Sequence, residues 1–599
     1  MPGTVRMGLE ETLLYLGRWG KYQMLTYFII AVCMNYPTSW QLYGIVFEGP
    51  SVPVSYSCSP KPEIGLAQKN DTCSQWKFVE KIETNKAVPS SKLQQVVGNF
   101  TYYYEGSEPC SKFEYDPSQL GYEFEKSDGT IQQQWDLVCD KGTWVTWSQV
   151  VFTVGALVGA TICPPFADYF GRRKTFFLCQ LLMCVFGIGM AFSPTFASFC
   201  VFQFLTGGFA MGNDLCGFVI ACELFPKDMR SVLSPLIYFF FSTGSAILTG
   251  WTIAFPKWSH LQLAISLVPL LTLLYYPFCP ESWRWLMAKG RNNEAEFYLN
   301  RAAKFNGLKP VDRAILFDNL SENNKDVPVK SEGIIDFFKK PMLVLYMAAM
   351  AFIMSASNLV YFGLNLMSGA LAGDPYINFL ALSLVEIFGV FIAVAVVGYF
   401  GRRIPIMCFF FWGAIFLFLS AIFSKVEGLK DNLGEDKLGK FITSFTIVGK
   451  IGITASYCII LVYIQEIFPT YMRAFGIGIT AGLGNIGTVL APISLLASEL
   501  EPTKYWIPTT IFGIVALLGG LVTLIIPETV GRELPATTED VLNMSHTLSP
   551  EEWKAARHQA KLIFTFSAKS TDSPDQGVEN IAFEGDESRS PNINSSNKL

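Results

Sequence analysis

Apolar residues in this chain gather into blocks of about 20 positions, divided by polar links that carry Gly, Pro, Arg and Lys. A helix rises 1.5 Å per residue and the hydrocarbon core of a bilayer is about 30 Å thick, so each block predicts one membrane-spanning helix. Twelve are marked: 23–47, 144–166, 175–193, 197–222, 232–255, 260–279, 341–365, 376–399, 404–423, 440–465, 474–498 and 505–527. Two long polar stretches, 48–143 and 280–340, break the series. The pattern predicts an all-α polytopic membrane protein. Its parts are a short N-terminal segment (1–22), a six-helix half over 23–279 that contains loop 48–143, a central loop 280–340, a second six-helix half over 341–527, and a polar tail over 528–599 that reads as largely disordered. Helical patterning over 292–305 adds a surface helix to the central loop.

Composition agrees with the pattern. Of 599 residues, 51% are hydrophobic and only 16% charged, against roughly 25% charged in an average soluble domain. The net charge of -5 comes with no basic cluster, so nucleic acid is not an expected partner. The first 23 residues are mixed polar and amphipathic and lack the short apolar core and small-residue cleavage site of a secretory leader.

Charge in the short loops sets the expected orientation, because Lys and Arg accumulate on the cytoplasmic side. Arg172, Arg173 and Lys174 follow the second block, Lys227 and Arg230 the fourth, Arg402 and Arg403 the eighth, and Arg473 the tenth. All four links fall on one side, which predicts cytoplasmic termini, an external 48–143 loop and a multi-pass protein of the plasma membrane. The external loop holds Cys58, Cys73, Cys110 and Cys139, together with glycosylation sequons at Asn70 and Asn99. Four cysteines in an oxidising compartment predict two disulfides, in any of three pairings. The other ten cysteines fall mostly in apolar blocks and read as packing residues.

Three short motifs occur twice. Ala167-Asp-Tyr-Phe-Gly-Arg-Arg173 matches Val397-Gly-Tyr-Phe-Gly-Arg-Arg403, and Cys222-Glu-Leu-Phe-Pro-Lys-Asp-Met-Arg230 matches Gln465-Glu-Ile-Phe-Pro-Thr-Tyr-Met-Arg473. Pro280-Glu-Ser-Trp-Arg284 and Pro527-Glu-Thr-Val-Gly-Arg532 close the two halves. Duplicated halves of one orientation suit a transporter that rocks one half against the other around a central site.

The Gly-Arg-Arg links resemble the signature of the major facilitator superfamily. A closer resemblance, to the animal organic cation, carnitine and organic anion transporters, rests on several further stretches: Gly17-Arg-Trp-Gly-Lys-Tyr-Gln23, Gln134-Trp-Asp-Leu-Val-Cys139, Pro280-Glu-Ser-Trp-Arg-Trp-Leu286, Leu359-Val-Tyr-Phe-Gly-Leu364, Leu384-Val-Glu-Ile387 and Gly449-Lys-Ile-Gly-Ile453. Together they span nearly the whole chain. The resemblance implies transport of a small organic solute by alternating access, with no cofactor.

The repeated links suggest a cytoplasmic latch. Asp168, Arg172, Arg173, Glu223, Arg230, Arg402, Arg403, Glu466 and Arg473 sit at helix ends, where ion pairs would hold the halves closed while the site faces outward. The alternative is that the arginines only enforce topology.

Ionisable residues inside spanning blocks are costly and by default mark a functional site. Asp214, Glu386 and Lys450 are the three. Asp214 stands where the resemblance places a bulky aromatic in cation transporters, and it reads either as a binding carboxylate or as a partner of Lys450. Glu386 and Lys450 match positions common to cation and anion branches, and Lys450 can pair with Glu386 or with Asp214. Asn485 occupies the position where, by the resemblance, relatives that carry cations have Asp and those that carry anions or carnitine have Arg. An amide can bond a charge of either sign or cross-link two helices. Tyr361 matches a cavity-lining tyrosine, and Tyr238 offers a second ring face for an ammonium group.

These features favour an organic cation or a carnitine-like zwitterion, with an organic anion as the alternative substrate and a non-transporting receptor as the alternative class. The expected partners are the solute, the lipid bilayer and, in some coupling schemes, a co-transported ion. Only three His are present, none mid-block, and the chain has no metal-ligand cluster, phosphate loop or nucleophilic triad, so no enzyme activity is expected.

Overall fold

The protein is described from a computed structural model. It covers residues 9–49, five strands between 56 and 115, and 129–310, 339–397, 399–425, 435–469, 472–500 and 506–530, with short stretches as far as 554. The spanning helices are α1 Lys21–Tyr43, α2 Trp144–Phe170, α3 Arg172–Ala191, α4 Phe196–Glu223, α5 Lys227–Ala254 and α6 Trp258–Leu267. A 3-10 segment, Val268–Tyr275, extends α6. They continue with α7 Pro341–Leu366, α8 Pro375–Val397, α9 Arg403–Lys425, α10 Glu435–Ile467, α11 Arg473–Leu500 and α12 Trp506–Val522.

Eleven of these helical stretches are long and apolar enough to cross a bilayer by composition alone. The helix outside that set is α1, and the reason is chemical. Its 23 residues include buried Gln23, Asn35, Ser39 and Gln41, which serve the protein interior and lower its mean hydropathy.

The all-α architecture holds for the membrane body, while the loop between α1 and α2 adds small sheets. Strand β1 (Tyr56–Ser59) pairs antiparallel with β5 (Lys112–Tyr115). Strands β2 (Ser74–Glu83), β3 (Leu93–Val97) and β4 (Phe100–Pro109) form a second sheet in the order β2-β4-β3. Cys139 is disulfide-bonded. Cys73, Cys110, Asn70 and Asn99, and the side chain of Cys58, lie outside the described residues, as does most of the tail. The surface helix expected in the central loop spans Asn292–Asn306.

Helix pairing repeats along the chain. Helices α1 and α5, α2 and α4, α3 and α4, and α3 and α6 pack together; their counterparts are α7 with α11, α8 with α10, α9 with α10, and α9 with α12. Between the two sets, α5 lies on α8 and α2 on α11, again a matched pair. Close approach depends on small residues, as in membrane helix contacts generally. A Cβ at Gly159 would fall 2.0 Å from the Gly208 carbonyl oxygen, and one at Gly487 would fall 1.9 Å from that of Ser355.

The Gly-Arg-Arg turns have a shared construction. Gly171 has φ 109° and Gly401 φ 81°, a region that L side chains rarely enter. Each following helix is capped by a glutamate from the third repeated motif. Glu281 accepts from the Arg173 amide at 2.9 Å, and Glu528 accepts from the Arg402 and Arg403 amides at 2.9 and 3.0 Å. A carboxylate is favoured there by the unpaired amides and the helix dipole.

Candidate functional site

In the centre of the bundle, Glu386 on α8 and Lys450 on α10 form an ion pair at 2.7 Å with both side chains fully buried. Such a pair is tolerable in low dielectric only when its remaining hydrogen-bonding capacity is met. Glu386 accepts from Tyr361 at 2.9 Å, from Ser242 at 3.0 Å and from the Asn365 amide at 2.8 Å. Lys450 also donates to the Asn365 carbonyl oxygen, and the Asn365 amide reaches Tyr43 at 2.6 Å. Ser242 and Tyr43 belong to α5 and α1, so this network ties the first six helices to the last six.

Around the pair stand three tyrosines. Tyr361 and Tyr457 stack with centroids 5.0 Å apart, Tyr457 meets Tyr238 edge-on at 5.2 Å, and their hydroxyls lie 3.5 Å apart. The Lys450 ammonium sits 5.6 Å from the Tyr361 ring centre. Asp214 on α4 is near enough to act electrostatically on both Tyr238 and Tyr457. It is partly accessible and has no hydrogen-bond or ion-pair partner among the described residues.

The structure therefore separates the expected residues. Lys450 pairs with Glu386, which removes the alternative pairing with Asp214. Tyr361, Glu386, Lys450 and Tyr238 share one cluster. Asn485 on α11 is half-exposed and has no hydrogen bond to that cluster among the described residues; beside it the carbonyl of Gly484 accepts from Asn358, and a Cβ at Gly482 would meet nothing within 4 Å. Asn365, Ser242, Tyr43 and Tyr457 were not anticipated. Two had a signal in the sequence: Asn365 follows Tyr361 by four positions and Tyr457 follows Lys450 by seven, so each shares a helix face with a residue already marked.

At the Gly-Arg-Arg end the expected ion pairs form, with one correction. Arg172 pairs with Glu223, and Arg402 with Glu466 at 2.8 Å. Both pairs close within one set of six helices, so in this conformation they do not bridge the halves as a latch. The cause is the packing: the turn between α2 and α3 abuts the end of α4, and that between α8 and α9 the end of α10. Asp168 is 69% exposed and only 3.5 Å from Arg172, a surface contact of small worth. Arg173 donates to the Cys279 carbonyl at 3.1 Å and to Tyr298, and Arg403 to the Leu524 carbonyl at 2.6 Å. Arg230 is half-buried in the first turn of α5, and the Arg473 side chain lies outside the described residues.

The opposite end is closed by rings from both halves. Phe47 stacks on Tyr376 at 5.5 Å and meets Phe379 at 5.0 Å, while Tyr43 meets Phe379 at 5.6 Å and Phe362 at 6.4 Å.

Paired six-helix sets around a central polar cluster, shut at one end and joined through α5–α8 and α2–α11, define a membrane transporter of the major facilitator superfamily. The chain belongs to the sugar (and other) transporter family, whose profile matches residues 93–540, and within it to the branch of organic cation, carnitine and organic anion transporters. It is 28% identical to the organic cation transporter protein of Drosophila melanogaster over 91% of this chain and 96% of that one. It is 27% identical to the organic cation/carnitine transporter 2 of Rattus norvegicus over 89% and 94%, and 32% identical to the organic anion transporter 3 of Sus scrofa over 69% and 74%. Among solved structures, the partially occluded inward-open xylose transporter XylE from E. coli shares the fold, with a TM-score of 0.55, 13% identity, and coverage of 85% of this chain and 99% of that one.

Proposed function

We propose that this protein carries a small organic cation or zwitterion across the plasma membrane by alternating access, with Asp214 meeting the positive charge and Tyr238, Tyr361 and Tyr457 supplying ring faces. One observation carries the reading: Lys450 is consumed by Glu386, so the charge left uncompensated in the bundle interior, among the described residues, is acidic. At an effective dielectric of about 20, two unit charges about 4 Å apart attract by about 4 kcal/mol, and ring faces add about 1 kcal/mol for an ammonium group. The Drosophila and rat relatives named for cations and carnitine support the same sign. Asn485 offers an amide to the polar end of a zwitterion from α11.

The orientation that goes with this function puts the Gly-Arg-Arg end and both termini in the cytoplasm, the disulfide-bearing loop outside, and the halves at 23–279 and 341–527. The ring closure at the outer end then makes this the inward-facing state. In the outward-facing state the Arg172–Glu223 and Arg402–Glu466 ends would approach one another as the inner gate.

Uptake of tetraethylammonium, carnitine and a dicarboxylate into vesicles, in wild type and Asp214→Asn, tests the proposal. Cation uptake should fall about 10- to 100-fold in the variant, the loss of roughly 1.4–2.8 kcal/mol of attraction. Dicarboxylate uptake that survives the change would overturn it in favour of an anion carrier, and binding without accumulation would favour a receptor.

A further inference from the structure

Among the described residues ten cysteines are free, eight of them buried; by sequence they read as packing residues, but two of them meet. Cys163 on α2 and Cys179 on α3 each lie eight positions from Gly171, the turn that joins the two helices. At 1.5 Å per residue both are about 12 Å along their helices from that turn, so equal spacing puts them at one depth. The Cys179 thiol donates to the Cys163 sulfur at 3.9 Å, and the two residues are 3% and 8% exposed.

Helix α4 is shaped around the pair. A Cβ at Gly212 would fall 2.5 Å from the Cys163 sulfur and 2.9 Å from that of Cys179, so glycine here leaves the space that the two thiols fill. One turn further along α4, Cys216 is buried and near enough to interact electrostatically with both cysteines. It does not complete a larger site: among the described residues no three His, Cys, Asp or Glu side chains converge in a group able to hold a metal ion. The pair therefore offers two sulfur ligands, too few for the four-ligand geometry of structural zinc. Soft cations that accept two thiolates in line are the class that fits.

We propose that Cys163 and Cys179 chelate a soft, two-coordinate metal cation, of the Hg(II) or Cu(I) class, between α2 and α3. Two S–H bonds break, two sulfur–metal bonds form, two protons pass to water, and no electron is transferred. With metal–sulfur bonds of about 2.3 Å, a linear unit spaces its sulfurs about 4.6 Å apart, so the pair opens by about 0.7 Å from its 3.9 Å contact. Charge favours the divalent ion. Two thiolates and Hg(II) sum to zero, whereas bare thiolates in this buried setting would be costly. The site lies within the first set of six helices and depends neither on the transport reading nor on the orientation.

Mercury content of the detergent-purified protein tests the site. Protein incubated with HgCl2 is gel-filtered in an excess of glutathione, which strips an ion held by one sulfur, while a two-sulfur chelate resists by about 100-fold or more through its effective concentration. Wild type should retain one equivalent more than Cys163→Ser, Cys179→Ser or the double variant, and those three should retain equal amounts, because one remaining sulfur is no chelate. Cys163→Ala and Cys179→Ala, which place no hydroxyl in the buried site, should show the same loss, and Cys216→Ser should keep the wild-type content. Unchanged retention in either single variant of the pair would overturn the proposal, as would wild type holding no more metal than the double variant. An equal loss in Cys216→Ser would overturn the two-ligand site in favour of a three-thiol one.

Discussion

Glu386 and Asp214 are both carboxylates inside spanning helices, and the structure treats them in opposite ways. Glu386 has a lysine, a tyrosine, a serine and an asparagine amide around it and no exposure. Asp214 has no partner among the described residues and is partly accessible. A fully met buried pair is neutral to its surroundings and serves as structure, whereas an unmet charge keeps its capacity to pair with a ligand. The first joins helices α1, α5, α7, α8 and α10; the second is the carboxylate proposed above to meet the solute.

The largest effect should come from breaking the satisfied site. Lys450→Met strands the Glu386 charge and should cost about 3–5 kcal/mol, read as a fall in thermal unfolding temperature of the detergent-purified protein. Adding Glu386→Gln to Lys450→Met should restore most of that loss, since no unpaired charge remains. Asp214→Asn should do the reverse, sharply lowering cation uptake while leaving the unfolding temperature equal or higher, because it removes a charge that nothing compensates. If Asp214→Asn destabilises the fold as Lys450→Met does, the two carboxylates are of one kind and the comparison fails.

Smaller effects should follow at the Gly-Arg-Arg turns. Glu281→Gln and Glu528→Gln keep the shape of the helix caps while removing charge, so each should cost about 0.5–2 kcal/mol, with little change in uptake sign. Smallest of all, Asp168→Asn should alter stability by under about 1 kcal/mol, given the exposure of its pair with Arg172. Parallel melting curves of the three variants would rank them.

Much of the fold was legible in the chain. Span positions agree with the helices because the bilayer sets one length scale for all of them. The edges moved where chemistry other than hydropathy acts: α6 ends early in a 3-10 segment at Pro269, and α2 runs on to Phe170 through Pro164 and Pro165. Asp214, Glu386 and Lys450 were recognisable for the same reason, since charge inside an apolar block is conspicuous. Uncharged members of the site, Asn365, Ser242 and Tyr457, look in sequence like any other small polar or aromatic residue of a membrane helix.

The sequence by itself determined the number of spans, the duplicated halves and the glycine turns, because those depend on local length, local φ and repeated motifs. Only the tertiary structure decided that Lys450 belongs to Glu386 and that the arginine pairs close inside each half. It also decided that the glutamates after α6 and α12 cap α3 and α9. Each of these is a contact between helices distant in the chain, and an unpaired charge chooses among distant partners by packing geometry, which no local pattern encodes.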